Sequence, residues 1–450
     1  MPRQIAVIGS GIAGLASAWL LSRPQGAAEC EVTLIERNDY LGGHTHTVVV
    51  EEDGQPVPVD TGFIVYNEPN YPLLTQFFAR LGVATRESDM SFSASIGPGE
   101  IEYAGDNLNT LFAQRVNLWR PQFLGMVRDL LRFNQRCKAL LAGPGFDGLC
   151  LGEFLDRERL GAAFREHYLL PMAAAIWSCP TGTMMAFPAE SLARFFANHG
   201  LLNLVHRPLW RSVSGGSHSY VRRILADLGE ERVLVDGAAR VRRIADGVQV
   251  ILQSGQMRTF DEVVLACHAD EALALIEAPT ADEQALLGCF QYQPNETWLH
   301  TDTELMPRRR RIWSSWNYRS QVGADGTRAV SVTYWMNRLQ GLATRRDYLV
   351  SLNPLQPPHP ERVLARMTYQ HPVFDQAAMD AQPELHRLQG RAGLWFCGSY
   401  FGYGFHEDAL RAAVTTAGLL GADTGWLLAG DSAGDPAVPD PAAVPALGTA

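Results

Sequence analysis

Three glycines fix the architecture of the start of this chain, in the run Gly9-Ser10-Gly11-Ile12-Ala13-Gly14. The run follows the short apolar segment Ile5-Ala6-Val7-Ile8 and opens a helical pattern that Pro24 ends. Glycines at this spacing suit a tight turn, the approach of a pyrophosphate to the backbone and close packing of helix on strand. The N-terminus of such a helix presents free N–H groups to an anion, so the run predicts a dinucleotide-binding βαβ unit.

The strand that follows supports this interpretation. Residues 31–35 form a second apolar strand, and Glu36 stands at its end, 22 residues beyond Gly14. An acid at that position is suited to accept hydrogen bonds from an adenosine ribose. A lone motif of this kind can also be a glycine-rich turn without function. Arg37 and Gly42-Gly43-His44-Thr45 continue past the ribose carboxylate, where a cofactor longer than NAD would extend.

Composition narrows the class of protein further. The chain has 450 residues, 46% apolar and 19% charged, which exceeds what one hydrophobic core usually serves and predicts two connected domains. Its net charge of −10 argues against nucleic acid as a partner. No apolar stretch reaches the length of about 18 residues that a membrane span needs. The seven cysteines are scattered without a Cys-x-x-Cys pair, so we expect no metal site and a reduced, cytoplasmic compartment.

Strands and glycine turns recur in three separated blocks of the chain. A meander that returns to the central sheet is predicted from the strands 233–235, 248–252 and 263–265. A strand at 394–397, a glycine-aromatic loop at 398–404 and a helix at 407–420 follow near the C-terminus. We assign 1–85, 211–290 and 385–422 to a cofactor domain, 86–210 and 291–384 to a substrate domain, and 423–450 to a disordered tail.

These motifs together resemble the flavin-containing amine oxidase superfamily, which includes monoamine oxidases, protoporphyrinogen oxidase and phytoene desaturases. Asp60-Thr61-Gly62 and Gly215-Gly216 carry the resemblance beyond the first glycine run. Residues 60–67 and 402–408 are more closely similar to a bacterial subgroup of FAD proteins that resemble the N-terminal flavoprotein portion of plant cyclopropane fatty acid synthases. The resemblance implies an α/β fold, with a glutathione-reductase-like (Rossmann-type) FAD-binding domain and an interleaved α+β substrate domain.

The resemblance also implies non-covalent FAD and the residues that bind it. The pyrophosphate would lie at 9–14, the ribose on Glu36, the adenine against Val235, and the flavin end at 42–45 and 405–409. Backbone N–H groups at a helix N-terminus would there face the flavin edge that gains negative charge on reduction. The implied cofactor residues are Gly9, Gly11, Ile12, Ala13, Gly14, Glu36, Arg37, Gly42, Gly43, His44, Thr45, Asp60, Thr61, Gly62, Val235, Gly398, Ser399, Gly404, Phe405, His406, Glu407, Asp408 and Ala409.

Four positions depart from the superfamily pattern. Ser399 replaces an acid that holds the ribityl chain, and His44 replaces an arginine after the glycine pair. Phe405 stands where monoamine oxidases place a tyrosine of their aromatic cage. The one lysine, Lys138, lies in a helical stretch and not in a strand, so the lysine that positions a water near the flavin is missing. An amine is therefore the less favoured substrate.

Candidate catalytic residues are His44, His406 and Tyr66. A histidine in a cofactor loop can hydrogen-bond the flavin or donate a proton near its ordinary pKa of about 6.5, or it can be structural and bound to a backbone carbonyl. Aromatic side chains that either line an apolar substrate site or belong to the core are Trp177, Trp313, Trp316, Trp335 and Phe405.

Residues 111–141 combine apolar side chains with Arg115, Arg120, Arg128 and other cations against the single acid Asp129. A basic amphipathic helix of this kind can lie in a membrane interface. The alternative is an ordinary helix whose arginines are solvated or paired with acids elsewhere. The first alternative would place a cytoplasmic protein against the inner face of a membrane.

We expect an FAD-dependent oxidoreductase that removes hydride from a hydrophobic, fatty-acyl lipid substrate. The alternatives are a flavin amine oxidase, a flavin-assisted isomerase and a non-catalytic flavoprotein partner of a lipid-modifying methyltransferase. No second glycine fingerprint follows a strand, so the sequence indicates no NAD(P)H domain, and the reducing equivalents come from the substrate.

Overall fold

The structure is a computed structural model that describes residues 2–23, 30–97, 99–143, 145–177, 184–203, 208–322 and 328–428. Its strands are β1 Arg3–Ile8, β2 Cys30–Glu36, β3 Thr47–Glu52, β4 Gln55–Asp60, β5 Val65–Asn67, β6 Thr85–Ser88, β7 Phe92–Ile96, β8 Ile101–Ala104, β9 Trp210–Val213, β10 Val233–Val235, β11 Ala238–Ile244, β12 Gly247–Leu252, β13 Met257–Phe260, β14 Glu262–Leu265, β15 Gln291–His300, β16 Trp316–Val322, β17 Arg328–Trp335, β18 Leu349–Leu352, β19 Val363–Val373 and β20 Leu394–Phe396.

The helices connect and cover these strands. They are α1 Ile12–Leu21, α2 Pro72–Leu81, α3 Leu108–Leu111, α4 Pro121–Leu141, α5 Leu151–Arg157, α6 Ala162–Phe164, α7 Leu170–Trp177, α8 Ala189–Asn198, α9 His218–Leu228, α10 Ala269–Leu275, α11 Ala281–Leu287, α12 Met336–Leu339, α13 Gln376–Ala381, α14 His406–Leu419 and α15 Gly425–Leu428. Across the described ranges, no helix combines the length and the hydropathy needed to cross a bilayer.

Five parallel strands form the central sheet, in the order β10-β2-β1-β14-β20. β1 and β14 are mostly apolar runs, as expected of strands that are covered on both faces. Every residue of α1 is buried, so this helix is enclosed on all sides. β1 lies between β2 and β14, and a parallel sheet binds ligands at the carboxyl ends of strands where the strand order reverses. The predicted βαβ unit and the α/β class are confirmed.

The predicted meander has different strands from those expected. The antiparallel sheet is β11-β12-β13, whereas β10 and β14 both belong to the central sheet. β11 reads AARVRRI and β13 reads MRTF, so both are half-exposed and carry arginines. Unbroken apolar runs indicate strands that are covered on both faces, so they do not reveal half-exposed strands such as β11 and β13. Of the three predicted strands, only 248–252 lies in the meander.

A seven-stranded sheet, β19-β15-β18-β17-β16-β7-β8, faces the cofactor side of the molecule. β7 and β8 come from the earlier part of the chain, with β7 paired to β16 and β8 paired to β7, while the other five strands lie between 291 and 373. Two distant segments therefore share one sheet, as an interleaved substrate domain requires. The exact domain boundaries stay a prediction.

The end of the described chain differs from the expected tail. α15 lies beyond the predicted boundary at 422, its Leu427 is buried, and Trp426 packs edge-on against Trp19 of α1 with ring centroids 6.4 Å apart. Two apolar side chains are enough to hold this short segment on the cofactor side. The rest of the predicted tail, 429–450, lies outside the described residues.

Candidate active site

The glycine turn after β1 contains two glycines that the fold itself requires. A Cβ at Gly14 would overlap the carbonyl oxygen of Gly9, and Gly9 has a φ of +104°. Gly11 differs, because its φ of −63° suits any residue and a Cβ there would meet nothing within 4 Å. The backbone beside Gly11 therefore faces open space at the N-terminus of α1, which is the predicted pyrophosphate position.

A second glycine loop, residues 42–45, lies directly against the first. A Cβ at Gly43 would come within 3.1 Å of the Gly11 Cα, and Gly43 has a φ of +57°. Behind this loop a side chain at Gly62 would overlap the carbonyl oxygen of His44, so Gly62 allows two backbone segments to touch. Glycines that are distant in sequence thus meet around one open crevice.

Glu36 is buried at the carboxyl end of β2, and both of its oxygens are occupied. Oε2 accepts from the backbone N–H of Ser10 at 2.8 Å and from its hydroxyl at 2.6 Å. Oε1 accepts from the backbone and side-chain N–H groups of Asn38, both at 2.9 Å. Because a carboxylate has about four acceptor sites, a ribose hydroxyl would have to replace Ser10 Oγ or Asn38 Nδ2.

Val235 and Arg37 flank Glu36. Val235 pairs with Glu36 in the register of β10 on β2 and is 57% exposed, which leaves room for an adenine beside it. Arg37 forms an ion pair with Glu271 at 2.6 Å. Its guanidinium, predicted to bind the cofactor, therefore already pairs with a carboxylate of this chain.

The third glycine turn, residues 398–404, leads into α14. A Cβ at Gly404 would crowd the Phe374 ring at 3.1 Å, so the turn packs on the end of β19. The carbonyl of Ser399 accepts from the Gly404 N–H at 3.1 Å and closes the turn. Phe405, the N-cap residue of α14, has no side-chain oxygen that accepts from the first N–H groups of the helix, so these groups can interact with an anionic edge.

The side chains of Glu407 and Asp408 serve the protein, which corrects their predicted cofactor role. Glu407 accepts from the backbone N–H groups of Leu73 at 2.8 Å and Leu74 at 3.0 Å, and so caps the N-terminus of α2. Burial raises the pKa of Glu407 to about 7 in spite of these bonds. Asp408 accepts from the Phe405 N–H at 2.8 Å and holds the turn before α14. Because Asp408 also accepts from the Tyr403 N–H at 3.0 Å, the groups that can face a ligand are the first N–H groups of α14 and not those of the preceding turn.

The predicted cofactor role of Asp60 is corrected for the same reason. Its carboxylate accepts from the Thr47 hydroxyl at 2.5 Å and from the Ser217 N–H at 2.8 Å, which joins the β3-β4 hairpin to the start of α9. Burial raises the pKa of Asp60 to about 6. Thr61 hydrogen-bonds the hydroxyl of Tyr369 at 2.7 Å, so this motif ties the cofactor side to the large sheet.

His406 cannot be the predicted proton donor with an ordinary pKa. Its ring stacks on Phe63 with centroids 3.7 Å apart, and its Nε2 lies 3.1 Å from Thr45 Oγ1 and 3.2 Å from the Tyr220 hydroxyl. Burial lowers the pKa of His406 to about 3, so the ring is neutral at pH 7. His406 instead anchors α14 to the second glycine loop.

Tyr66 lies in the core. Its ring packs edge-on against Tyr71 and Phe78, with centroids 6.2 and 5.4 Å apart, and only 3% of the residue is exposed. The prediction that Tyr66 is catalytic is therefore corrected. Its bulk supports the cofactor side as one of several packed rings.

Two of the predicted substrate tryptophans form a small cluster of their own. Trp313 and Trp335 pack edge to face at 5.5 Å. Their indole N–H groups donate to the Pro307 carbonyl at 2.8 Å and to Asp347 at 3.0 Å. Their core cluster is separate from the two large ones, so the structure gives them no place in a shared substrate wall.

Trp316 belongs to a different core cluster from Trp313, although the two are only three residues apart. Trp313 follows a 3-10 turn, and β16 begins only at Trp316, so the two rings do not alternate along one strand. Trp316 packs on Tyr334 at 4.9 Å in the main core. Phe405 stacks on Phe195 at 5.1 Å beside the N-terminus of α14. The side chain of Trp177 lies outside the described residues.

Three histidines meet beside the second glycine loop. The ring centroid of His44 lies 5.7 Å from His268, at the end of β14, and 5.6 Å from His371 of β19. Burial lowers the pKa of all three, that of His371 to about 4, so this histidine cluster is neutral at pH 7. Within the described ranges no group of His, Cys, Asp or Glu is arranged to hold a metal ion.

A chain of hydrogen bonds fixes the proton of His371. The backbone N–H of Glu296 donates to Asn353 Oδ1 at 2.9 Å, so the Asn353 amide nitrogen faces Asn295 Oδ1 and donates to it at 2.7 Å. Asn295 must then donate its own amide N–H to His371 Nδ1, at 2.7 Å. Because a neutral imidazole carries one proton, His371 is the Nε2–H tautomer and a neutral donor.

His44 is the complementary acceptor. It hydrogen-bonds the backbone carbonyl of Gln370, and its Nε2 is buried with no partner among the described residues. A neutral ring that donates through Nδ1 leaves Nε2 as an acceptor. Burying an acceptor unpaired costs about 1–3 kcal/mol, so this atom points to a donor supplied by a ligand.

Sequence reasoning missed His371, Asn295 and Asn353. Their side chains meet across 58 and 76 residues of sequence, which no local motif records. A weak signal was available at Asn353, because asparagine often occupies the left-handed region and its φ here is +44°. His268 was missed for the same reason, since it lies just beyond a strand and not within a glycine motif.

A family model described as flavin containing amine oxidoreductase matches residues 12–420. The chain belongs to this family. As a member it is an FAD-dependent oxidoreductase, and the predicted superfamily, cofactor and enzyme class are confirmed. The narrower resemblance to the flavoprotein portion of plant cyclopropane fatty acid synthases stays a prediction.

Three known proteins show how far the similarity of this chain to others extends. The carotenoid phi-ring synthase of Chlorobaculum tepidum is 33% identical over 133 residues, 30% of this chain and 19% of that protein. The chain therefore aligns with about a fifth of that relative's length. A putrescine oxidase bound to putrescine has a TM-score of 0.65 at 17% identity, covering 93% of this chain and 99% of that one. A CLA-producing fatty acid isomerase from P. acnes has a TM-score of 0.64 at 16% identity, covering 93% and 98%. At these identities the structural likeness concerns the fold alone.

The residues of the site fit FAD. The open space beside Gly11 and the N-terminus of α1 suit a pyrophosphate, and the exposed Val235 beside Glu36 suits an adenosine. The unpaired Nε2 of His44 and the N-terminus of α14 are polar groups that lack a ligand at the other end of the crevice. The site thus offers suitable groups both for the adenosine part and for the flavin part of FAD.

Proposed function

We propose that this flavoprotein desaturates an apolar fatty-acyl lipid: one carbon would give up a hydride to bound FAD, the adjacent carbon a proton to solvent, and oxygen, a quinone or a protein acceptor would take the two electrons from the cofactor. The neutrality of the polar groups beside the cofactor loop carries the proposal. The histidine cluster supplies hydrogen bonds without charge, because burial holds the pKa of each ring below its ordinary value. A neutral site favours an uncharged substrate over an ammonium ion.

The apolar side of the site supports the same substrate class. Phe405 stacks on Phe195, and Phe195 stacks on His199 with ring centroids 3.8 Å apart. His199 is also neutral, because burial lowers its pKa to about 4. Ligand sites for apolar molecules are lined by rings of this kind with a few placed polar groups. A tyrosine at 405 would add a hydroxyl for a polar substrate, and phenylalanine removes it.

The residues divide the work between cofactor and substrate. FAD, when bound, supplies the ring that accepts the hydride. His44 Nε2 accepts a hydrogen bond from the cofactor, and the N-terminus of α14 stabilises negative charge on its reduced form. His371 presents a fixed Nε2–H, which orients a carbonyl or carboxyl oxygen of the substrate.

Anaerobic mixing tests the proposal. The purified holoprotein is mixed without oxygen with fatty acids, with phospholipids and with putrescine, and the flavin absorbance at about 450 nm is followed. We expect bleaching with an acyl lipid and a product two hydrogens lighter by mass spectrometry. Bleaching with the amine alone would overturn the lipid assignment in favour of amine oxidation.

Two further outcomes would also overturn desaturation. A product of unchanged mass but shifted double bond, without bleaching, would identify an isomerase. No bleaching and no product with any lipid would favour a flavoprotein partner of a methyltransferase. A His371→Leu variant that binds FAD serves as the control, because it should lose rate while it keeps the flavin spectrum of a loaded site.

A further inference from the structure

Large apolar side chains are exposed together in one region far along the chain from the glycine turns. The 3-10 turn Arg115–Trp119 exposes Val116 by 51%, Leu118 by 42% and Trp119 by 84%. The helix that follows, α4, exposes Leu124 by 43% and Leu131 by 48%. A contiguous set of this size on a folded surface indicates contact with something apolar.

α4 has two faces of opposite character. Phe123 and Phe133 point inward and are buried in the main core. Leu124, Arg128 and Leu131 follow one another at spacings of four and three, so they share the outward face. Arg128 thus lies between two exposed leucines. This alternation of cations and apolar side chains fits a layer of lipid headgroups, and the charge of the region distinguishes an anionic lipid surface from a protein partner.

The charge of this region opposes that of the rest of the chain. Residues 111–141 carry six cations and one acid, a net +5 in a chain of net −10. Arg115 donates to the Phe112 carbonyl and to Asn109 Oδ1, and Arg120 donates to the Glu100 carbonyl and to Asn117 Oδ1. In the described part of the chain neither guanidinium forms an ion pair, so both charges are available to an anionic surface.

Acidic side chains cancel only part of the remaining charge, because Glu158 pairs with Arg136 at 2.8 Å and Asp129 is left to two further arginines. Asp129 is buried and is shared by Arg128 and Arg132, each at 3.2 Å, and by the Gly161 N–H. One carboxylate therefore faces two guanidinium groups. Arg128 keeps 70% of its side chain exposed on the outward face.

We propose that this surface docks on an anionic lipid bilayer. The basic apolar face is defined as Val116, Leu118, Trp119, Leu124 and Leu131 with Arg115, Arg120, Arg128 and Arg132. Trp119 and its neighbours enter the interface, where tryptophan is favoured, and the arginines contact the anionic headgroups. The proposal goes beyond desaturation and needs no turnover, so it stands or falls separately.

Vesicle binding tests the proposal with the full-length holoprotein. Sedimentation is measured with vesicles of pure phosphatidylcholine and with vesicles that contain phosphatidylglycerol. We expect binding to the anionic vesicles only, weakened as salt is raised from about 0.1 to about 1 M because screening shortens the reach of the charges. Equal binding to both vesicle types, or none to either, would overturn the proposal and leave the face to a protein partner.

Paired variants locate the contact. Arg115→Gln with Arg120→Gln should weaken the partition about twenty-five-fold, at about fivefold per lost charge. Leu118→Ser with Trp119→Ser should weaken it at least about tenfold by removing buried apolar area. Val49→Ser and Arg222→Gln are matched controls on exposed residues elsewhere, and they should bind as the wild type does. If the control variants lose as much binding as the paired variants, docking at this face is refuted.

Discussion

The cofactor half and the substrate half of the site are built in different ways. On the cofactor side, function lies in the backbone: glycines let turns approach one another, and helix N-termini supply the N–H groups. On the proposed substrate side, the polar groups are side chains that meet from β15, from β19 and from the residue after β18, and they fix one proton on His371. The first kind of site leaves a local motif in the sequence and the second does not.

The largest expected effect is a loss of FAD binding, and it should distinguish Gly11 from Gly14 although both lie in the same turn. Gly11→Val should fold normally, because a Cβ there meets nothing within 4 Å and the φ of −63° suits valine. It should lower FAD affinity at least about a hundredfold by filling the pyrophosphate space. The measurement is the flavin content of the purified protein together with its melting temperature.

Gly14→Val is the matched variant. Its Cβ would overlap the Gly9 carbonyl, so it should destabilise the fold itself by more than about 4 kcal/mol and yield little folded protein. If Gly11→Val binds FAD normally, the crevice beside Gly11 is not the cofactor site. If Gly14→Val folds as well as Gly11→Val, the packing argument is wrong.

The contrast explains what the sequence could predict. The βαβ unit follows from the spacing of Gly9, Gly11 and Gly14 between two apolar runs, and the structure reproduces it. The motif residues Asp60 and Glu407 were located correctly but given the wrong partners, because a sequence does not show whether a carboxylate caps a helix or binds a ligand.

The substrate side could not be predicted in this way. The link from Asn353 to His371 depends on sheet register, which brings β15 beside both β18 and β19. Strand pairing between residues so far apart in sequence is set by the packing of the whole sheet, and it leaves no local spacing to recognise. The meander failed for a related reason, since strands such as β11 are half exposed and carry no apolar run.

The next effect concerns the carboxylate that caps α2. Burial raises the pKa of Glu407 from 4.5 to about 7, although Leu73, Leu74 and Arg411 favour its charged form. Between these pH values the folded state holds a proton that the unfolded state has lost, so stability falls as pH rises. The loss amounts to about 3 kcal/mol at most, because one pKa unit is worth about 1.4 kcal/mol.

Glu407→Gln isolates this contribution, because glutamine does not titrate and its amide oxygen still accepts from one backbone N–H. Urea unfolding from about pH 5 to about pH 7 should show a smaller fall of the unfolding free energy in the variant than in the wild type. Asp60, with a raised pKa of its own, is present in both proteins and cancels in the difference. Equal slopes would show that Glu407 is charged throughout.

His371 tests the substrate half. His371→Leu replaces the neutral donor by an apolar side chain of similar volume. It should lower kcat/KM about tenfold, equivalent to about 1.4 kcal/mol. Burial lowers the pKa of His371 to about 4, so the wild-type rate should show no inflection from this group between about pH 8 and about pH 5. An inflection near 6.5 that disappears in the variant would contradict a neutral donor.

Asn353→Gly is the milder companion of that variant. Glycine tolerates the φ of +44°, so the backbone is kept while the first amide of the relay is removed. Asn295 can then turn its amide and His371 can exchange its proton between nitrogens. We expect a loss of about threefold in kcat/KM, together with a loss of about 1 kcal/mol of stability because the Glu296 N–H loses its acceptor. A loss as large as that of His371→Leu would mean that Asn353 itself contacts the substrate.

The smallest effect tests whether the separate tryptophan cluster takes part in the site. Trp313→Phe keeps a ring against Trp335 but loses the hydrogen bond to the Pro307 carbonyl, so stability should fall by about 1 kcal/mol with KM unchanged. Trp316→Phe loses an indole N–H that is buried without a partner among the described residues, so it should cost no stability. A raised KM in Trp316→Phe alone would place the substrate against the main core, because that ring lies beside Tyr334. A raised KM in Trp313→Phe would instead extend the substrate site to the cluster that the structure keeps apart.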